Sequence, residues 1–111
     1  MPRCPEAGDI GYIDFDPQAG REQARRRPAL VLTPRDYNSR VGLVIAAPIT
    51  SRVKGYPFEV ELDAGCPLEG VVLADQLKSL DWRVRRFEFV FSAGSRLMRR
   101  TRALIGELLS I

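Results

Sequence analysis

The sequence predicts a mainly β fold, a small twisted antiparallel barrel completed by one C-terminal α-helix. Three observations carry that expectation. Five to seven short segments rich in Val, Ile and aromatic residues recur along the chain, several alternating apolar with polar. Gly, Pro and Asp clusters punctuate them at turn-like intervals. Near the end the apolar spacing changes to three and four residues, the period of a helix.

Taken in order, residues 10–15 (Ile-Gly-Tyr-Ile-Asp-Phe) form the first expected strand, entered through Gly8-Asp9 and ended by Asp16-Pro17. Residues 18–26 are polar and densely charged and read as a loop. A second strand is expected at 28–32, with Pro28 tolerated at its start. Residues 34–38 suit one helical turn or a tight loop. The run 41–47 is apolar on both faces and bounded by Gly42 and Pro48, as in a fully buried strand. Further strands are expected at 58–62, 71–73, 77–82 and 87–91, the first and last of them alternating like half-buried strands. Leu97, Met98, Thr101, Leu104, Ile105, Leu108 and Leu109 then mark one face of an amphipathic helix, which Ser92 or Ser95 could cap.

The chain has 111 residues, a length that suits a single domain, 1–111, with one compact core. Hydrophobic residues make up 45% and charged residues 28%, so disorder is a poor reading. No apolar run could span a bilayer, and no charged start followed by an apolar stretch marks a secretory signal. A membrane partner is therefore not expected, and the expected location is cytoplasmic. Net charge is +3, from 17 Lys and Arg, most of them Arg. That balance favours a polyanion partner, because the planar guanidinium can give phosphate two parallel hydrogen bonds.

There is no His. Histidine triads, histidine metal sites and the two-histidine route to RNA cleavage are thereby excluded. Cys4 and Cys66 are far apart and belong to no CxxC pair, so a zinc site is not expected. Asp14 and Asp16 could share one face of a strand, but no further ligands are identifiable beside them. No metal or other cofactor is expected.

Four stretches could carry chemistry. In residues 21–28 a carboxylate and several guanidinium groups share one loop base, suiting proton abstraction and anion stabilisation; a solvated charge run is the bland alternative. Pro48-Ile49-Thr50-Ser51 brings two hydroxyls off the end of the most apolar strand, where they could donate to phosphate or simply be loop polarity. Lys54-Gly55-Tyr56-Pro57 offers charge, close backbone approach and a stacking face, or forms a surface turn. Ala74-Asp75-Gln76-Leu77-Lys78-Ser79 could read bases or order water, and is unremarkable as a bare pattern. Trp82, the only Trp, reads by default as core packing or a subunit contact.

Together these stretches resemble the MazF/PemK family of bacterial toxins. Gly8-Asp9-Ile10, Asp14-Phe15-Asp16-Pro17, Glu22-Gln23-Ala24, residues 27–32, residues 54–60 and residues 74–79 follow that family's order and spacing. The likeness runs from Gly8 to about Arg85 and more loosely through the helix. It implies an SH3-like barrel, a homodimer, cleavage of single-stranded RNA, often at a short recognition sequence, and inhibition by an acidic cognate antitoxin. The family's catalytic Glu, Arg and Thr fall on Glu22, Arg27 and Thr50. Gln23, Arg25, Ser51, Lys54, Tyr56, Asp75, Gln76 and Lys78 are the expected RNA contacts. Arg25 and Arg26 make the first loop more basic than usual for the family, and 87–91 is more apolar.

Two other classes compete. A CcdB-type gyrase poison shares the fold but depends on a Trp near its C-terminus, where this sequence has Leu109-Ser110-Ile111. A non-catalytic RNA-binding barrel would not favour a carboxylate beside phosphate.

Overall fold

A computed structural model describes residues 3–16 and 25–111. Seven antiparallel strands and two helices make up the described fold: β1 (Asp9–Asp16), β2 (Arg25–Val31), α1 (Arg35–Val41), β3 (Leu43–Thr50), β4 (Glu59–Glu61), β5 (Val71–Leu73), β6 (Lys78–Asp81), β7 (Glu88–Ser92) and α2 (Ser95–Leu109). The strands pair in the order β4-β5-β3-β2-β1-β7, with β6 also on β3. The mainly β fold with a C-terminal helix is as expected, but among the described residues the pairing leaves the sheet open rather than closing it.

The hub is β3. One edge pairs with β2 throughout Ala46–Pro48. The other edge pairs with β6 over Leu43–Ala46 and then with β5 at Ile49 and Thr50. Its apolar run is explained by burial on both faces. Ala47 and Ile49 enter one core with Ile10, Leu30, Val60, Val72 and Leu97. Val44 and Ala46 enter a second with Ile13, Phe15, Val31, Trp82 and Phe87. Burying each such side chain contributes roughly 1.5–3 kcal/mol, which is why the run contains no charge.

Of the prolines expected to bound strands, Pro28 and Pro48 lie inside them, and Pro17 is outside the described residues. Leu32 N–H donates to Ile45 O at 2.9 Å, which fixes the ladder phase. In that phase the nitrogen of Pro48 points away from β2, into the gap where β3 passes from β6 to β5, so no ladder donor is lost. Pro28 faces Tyr12 in β1, one residue before the pairing with β3 begins. Strand β2 therefore starts at Arg25, inside the stretch expected to be loop.

Other boundaries shift for identifiable reasons. The strand expected at 58–62 keeps three residues, Glu59–Glu61. The single turn expected at 34–38 extends to a seven-residue helix ended by Gly42 in the left-handed conformation (φ 83°). The alternation expected over 87–91 is broken. Ile10 pairs Phe91 and Gly11 pairs Phe89, so Val90 is an extra residue in β7. Phe87 and Phe91 consequently reach different cores, while Phe89 is exposed beneath the Arg3 guanidinium at 4.2 Å.

Helix α2 packs Leu97, Met98 and Thr101 against the first core. Neither Ser92 nor Ser95 caps it. Gly94 is the N-cap, and its N–H donates instead to Asp63 Oδ2 at 2.7 Å, a carboxylate from the β4–β5 loop. Trp82 takes its core role: it is buried, with its indole N–H donating to Asn38 O at 2.9 Å. No helix is long and apolar enough to cross a membrane among the described residues.

Candidate active site

Strand alternation separates two consecutive arginines. Arg26 stands opposite Asp14 of β1, and its guanidinium donates to Asp14 Oδ1 at 3.1 Å, to Arg86 O at 2.7 Å and to Glu88 Oε1 at 3.3 Å. Arg27 projects to the other face, where it borders two adjoining cavities. Arg26 is thus spent in an ion network and does not belong to a shared basic groove with Arg27.

The first cavity, of about 370 Å³, is lined by Arg27, Thr50, Arg52, Lys54, Tyr56, Glu59, Leu73 and Gln76. The second, of about 300 Å³, is lined by Phe15, Arg27, Gln76, Leu77 and Lys78. Arg27 and Gln76 border both, so the two form a continuous cleft across the end of the sheet. Three cations and one carboxylate line the first cavity, giving it a positive balance suited to a polyanion.

Thr50 reaches the cleft because β3 ends there, past its pairing with Val71. Its Oγ1 accepts the Arg52 N–H at 3.1 Å, which turns the chain outward. Gly70 makes this junction possible: with φ 127°, a Cβ there would stand 2.1 Å from Thr50 O. The loop after β3 then supplies Arg52, Lys54 and Tyr56, the last half exposed with its ring 6.3 Å from that of Phe58. The link between β5 and β6 supplies Gln76, and β6 opens with Lys78, whose Nζ lies 5.7 Å from the Phe15 ring centroid.

Of the residues singled out in the sequence, Arg27, Thr50, Lys54, Tyr56, Gln76 and Lys78 converge on this cleft. Ser51 is exposed and Asp75 half-buried, and neither lines these two cavities; Asp75 Oδ1 is buried without a hydrogen-bond partner among the described residues. Glu22 and Gln23 lie outside the described residues, as does the side chain of Arg25. The cleft adds Arg52, Glu59, Leu73 and Phe15. Phe15 and Glu59 stand inside the family-like sequence blocks, but nothing in their pattern separates them from core and surface positions.

Asp14 is already occupied by guanidinium groups. A register shift falls between Asp14 and Asp16, and both Asp14 oxygens accept guanidinium donors, from Arg26 and from Arg86 Nε at 3.0 Å. Those bonds, Arg86 first, hold the Asp14 carboxyl below the usual carboxylate range. No group of three potential ligands from His, Cys, Asp and Glu occurs among the described residues.

Residues 6–109 match the family of PemK-like, MazF-like toxins of type II toxin–antitoxin systems. The endoribonuclease toxin MazF of Escherichia coli K12 is 52% identical over 81 residues, covering 73% of this chain and 72% of that protein. The crystal structure of MazF from Deinococcus radiodurans superposes with a TM-score of 0.90 at 50% identity, covering 99% of this chain and 100% of that one. MazF in a MazE–MazF crystal structure from the same organism gives 0.93 at 50% identity, covering 99% of both chains. The chain therefore belongs to the PemK/MazF family of type II toxin–antitoxin toxins.

Proposed function

We propose that this protein is a toxin endoribonuclease that cleaves single-stranded RNA, such as mRNA, at the Arg27–Thr50 cleft, with sequence preference and without a metal. The observation that carries the proposal is convergence. Arg27 and Thr50, far apart in sequence, border one cavity with the cation Lys54, the stacking face of Tyr56 and the amide of Gln76. Single-stranded RNA needs all three kinds of partner, because its phosphates are charged and its base faces and edges are open. Named endoribonucleases among the relatives support the same reading.

The chemistry is a transesterification. The ribose 2′-oxygen attacks phosphorus as Glu22 takes its proton, and the bond to the 5′-oxygen breaks. One product ends in a 2′,3′-cyclic phosphate, the other in a 5′-hydroxyl. Arg27 balances the charge on the phosphorane-like state and Thr50 orients a non-bridging oxygen. Water or Arg27 protonates the leaving oxygen. Gln23, Arg25, Ser51, Lys54, Tyr56, Asp75, Gln76 and Lys78 are the proposed RNA contacts, with Ser51 and Asp75 reaching RNA from outside the two cavities. Glu22→Gln keeps shape but removes the base, and is expected to slow cleavage by ~10²–10⁴-fold.

The protein works as a single-domain, cytoplasmic homodimer, held by an acidic cognate antitoxin. The apolar end of α2 supports the dimer. Leu108, Leu109 and Ile111 are exposed, beside an apolar groove lined by Leu32, Ile45, Leu77 and Ile105. The MazE–MazF structures of relatives and the positive cleft support the antitoxin.

End analysis of RNA fragments tests the mechanism. Cyclic phosphate and 5′-hydroxyl ends, cleavage persisting in excess chelator, and loss of cleavage when one 2′-deoxy nucleotide precedes the scissile phosphate are expected. A 5′-phosphate product would show that water attacked, and would remove Glu22 from its role.

A further inference from the structure

Glu59 poses a physical problem: it is a carboxylate lining a cavity otherwise suited to a polyanion. Its hydrogen bonds resolve it. Oε2 accepts the backbone N–H of Lys54 at 3.0 Å, and Oε1 accepts that of Gly55 at 3.0 Å. The Glu59 N–H in turn donates to Tyr56 O at 3.0 Å. One residue therefore binds three consecutive positions of the loop after β3. Glu59 is itself fixed at the start of β4, paired with Leu73 of β5, and the next residue, Val60, is buried in the first core. Gly55, the second residue held, has a left-handed backbone (φ 78°), and a Cβ there would meet nothing within 4 Å.

We infer that Glu59 is a positioning residue for substrate binding, which clamps Lys54 and Tyr56 in the orientation that receives RNA; this rests on the RNA-cleft reading above. Each carboxylate oxygen accepts a backbone N–H, so Glu59 has a use in holding the loop that needs no proton transfer. It acts through Lys54 and Tyr56, whose side chains carry charge and a stacking face into the cavity. Loop residues without such a clamp would lose conformational entropy on each binding event, at a cost to affinity.

The sign of one substitution separates this role from a bystander charge. In Glu59→Gln an amide NH₂ must face one of the two backbone N–H groups, so the clamp breaks while the negative charge disappears. A charge that merely repelled phosphate would bind RNA more tightly once removed. A clamp predicts about tenfold weaker binding, a raised KM and a kcat changed much less. Binding is read on an RNA bearing a site the wild-type protein cleaves, made uncleavable by 2′-deoxy substitution at that site. In a Lys54→Ala/Tyr56→Ala background, Glu59→Gln should cost nothing further, because the groups it positions are gone. Gly55→Ala, which meets no neighbouring atom, should weaken binding in the same direction and keeps the test open if Glu59→Gln folds poorly.

Amide exchange reads the clamp without RNA. The Lys54 and Gly55 amides of the wild-type protein should exchange more slowly than that of Val53, and Glu59→Gln should abolish the difference while strand amides stay protected. Failure of the wild-type protein to cleave RNA would sink the functional reading and leave this exchange arm to judge the clamp. Tighter or unchanged RNA binding in Glu59→Gln, a fall in kcat alone, or unprotected Lys54 and Gly55 amides would each overturn the inference.

Discussion

Arg26 and Arg27 are neighbours in β2 and the same residue type, yet they meet different surroundings. On one face Arg26 joins Asp14, Glu88 and Arg86 in a closed ion network. Arg86 adopts a left-handed backbone there (φ 56°), uncommon for a non-glycine residue, and from it donates to both oxygens of Asp14. Nearby, the Arg85 guanidinium donates to Asp14 O at 3.0 Å and to Phe15 O at 3.3 Å. On the other face Arg27 borders the cleft, and among the described residues no carboxylate pairs with it. The difference teaches that guanidinium chemistry alone does not mark a site. A cation whose donors are already taken holds the fold, whereas one that faces a cavity can bind an incoming anion.

Between these two faces of the sheet, the largest expected effect is at Arg27. Arg27→Ala should cut turnover by about 10²–10³-fold, the usual cost of losing one preorganised donor to a developing anion. Arg26→Ala should leave turnover nearly unchanged and lower stability by roughly 1 kcal/mol, since the pair is partly exposed. Single-turnover cleavage and thermal melting of the two variants separate the faces. Equal losses of activity would erase the distinction.

Tyr56→Ala comes next. Removing one stacking face should cost roughly 1–3 kcal/mol of RNA binding, seen as a raised KM rather than a lower kcat. Thr50→Val follows, at roughly 0.5–1.5 kcal/mol, because it keeps the side-chain volume but deletes the hydroxyl's bond to phosphate and its exposed bond from the Arg52 N–H. If Thr50→Val proved as damaging as Arg27→Ala, the hydroxyl would have to do more than orient an oxygen.

Much of the fold was legible in the sequence. Short apolar runs, some of them alternating, located the strands, and the three- and four-residue spacing located α2. The bare patterns leave Arg27, Thr50, Lys54 and Tyr56 open to bland readings, and it is the resemblance to the MazF/PemK family that marks them as candidates. What stayed hidden depended on pairing phase. Whether Pro48 ends β3 or sits harmlessly within it is decided by which way its nitrogen points, and that follows from the Leu32–Ile45 ladder bond. The extra residue at Val90 redirects Phe91 without leaving any signature in composition. Arg26 looked like part of a basic loop because its partners, Asp14, Arg86 and Glu88, come from opposite ends of the chain. Glu59 stayed anonymous for a similar reason: its partners are backbone amides, which every sequence has.

The smallest effect tests the network face through pH. The Asp14 carboxyl lies below its ordinary range because Arg86, and then Arg26, donate to its charged form. In the unfolded chain it returns to the ordinary value near 3.9. Folding therefore favours the ionised form. The resulting stability is fully present above the unfolded value and is lost as pH falls through the lower folded value. Its size should be modest, about 1 kcal/mol or less, because the Arg86 side chain is 69% exposed and solvent screens the pair. Asp14→Asn supplies the comparison, since it keeps the shape but cannot ionise. Urea unfolding at pH 7 should find the wild-type protein the more stable of the two. The gap should narrow steadily below about pH 4, as the wild-type carboxylate takes up its proton. The cleft side chains are untouched by this substitution, so cleavage at pH 7 should remain close to wild type. A stability gap that held constant down to pH 2 would mean that shape, not charge, makes Asp14 useful. The ion network would then be incidental to how β1, β2 and β7 are held together.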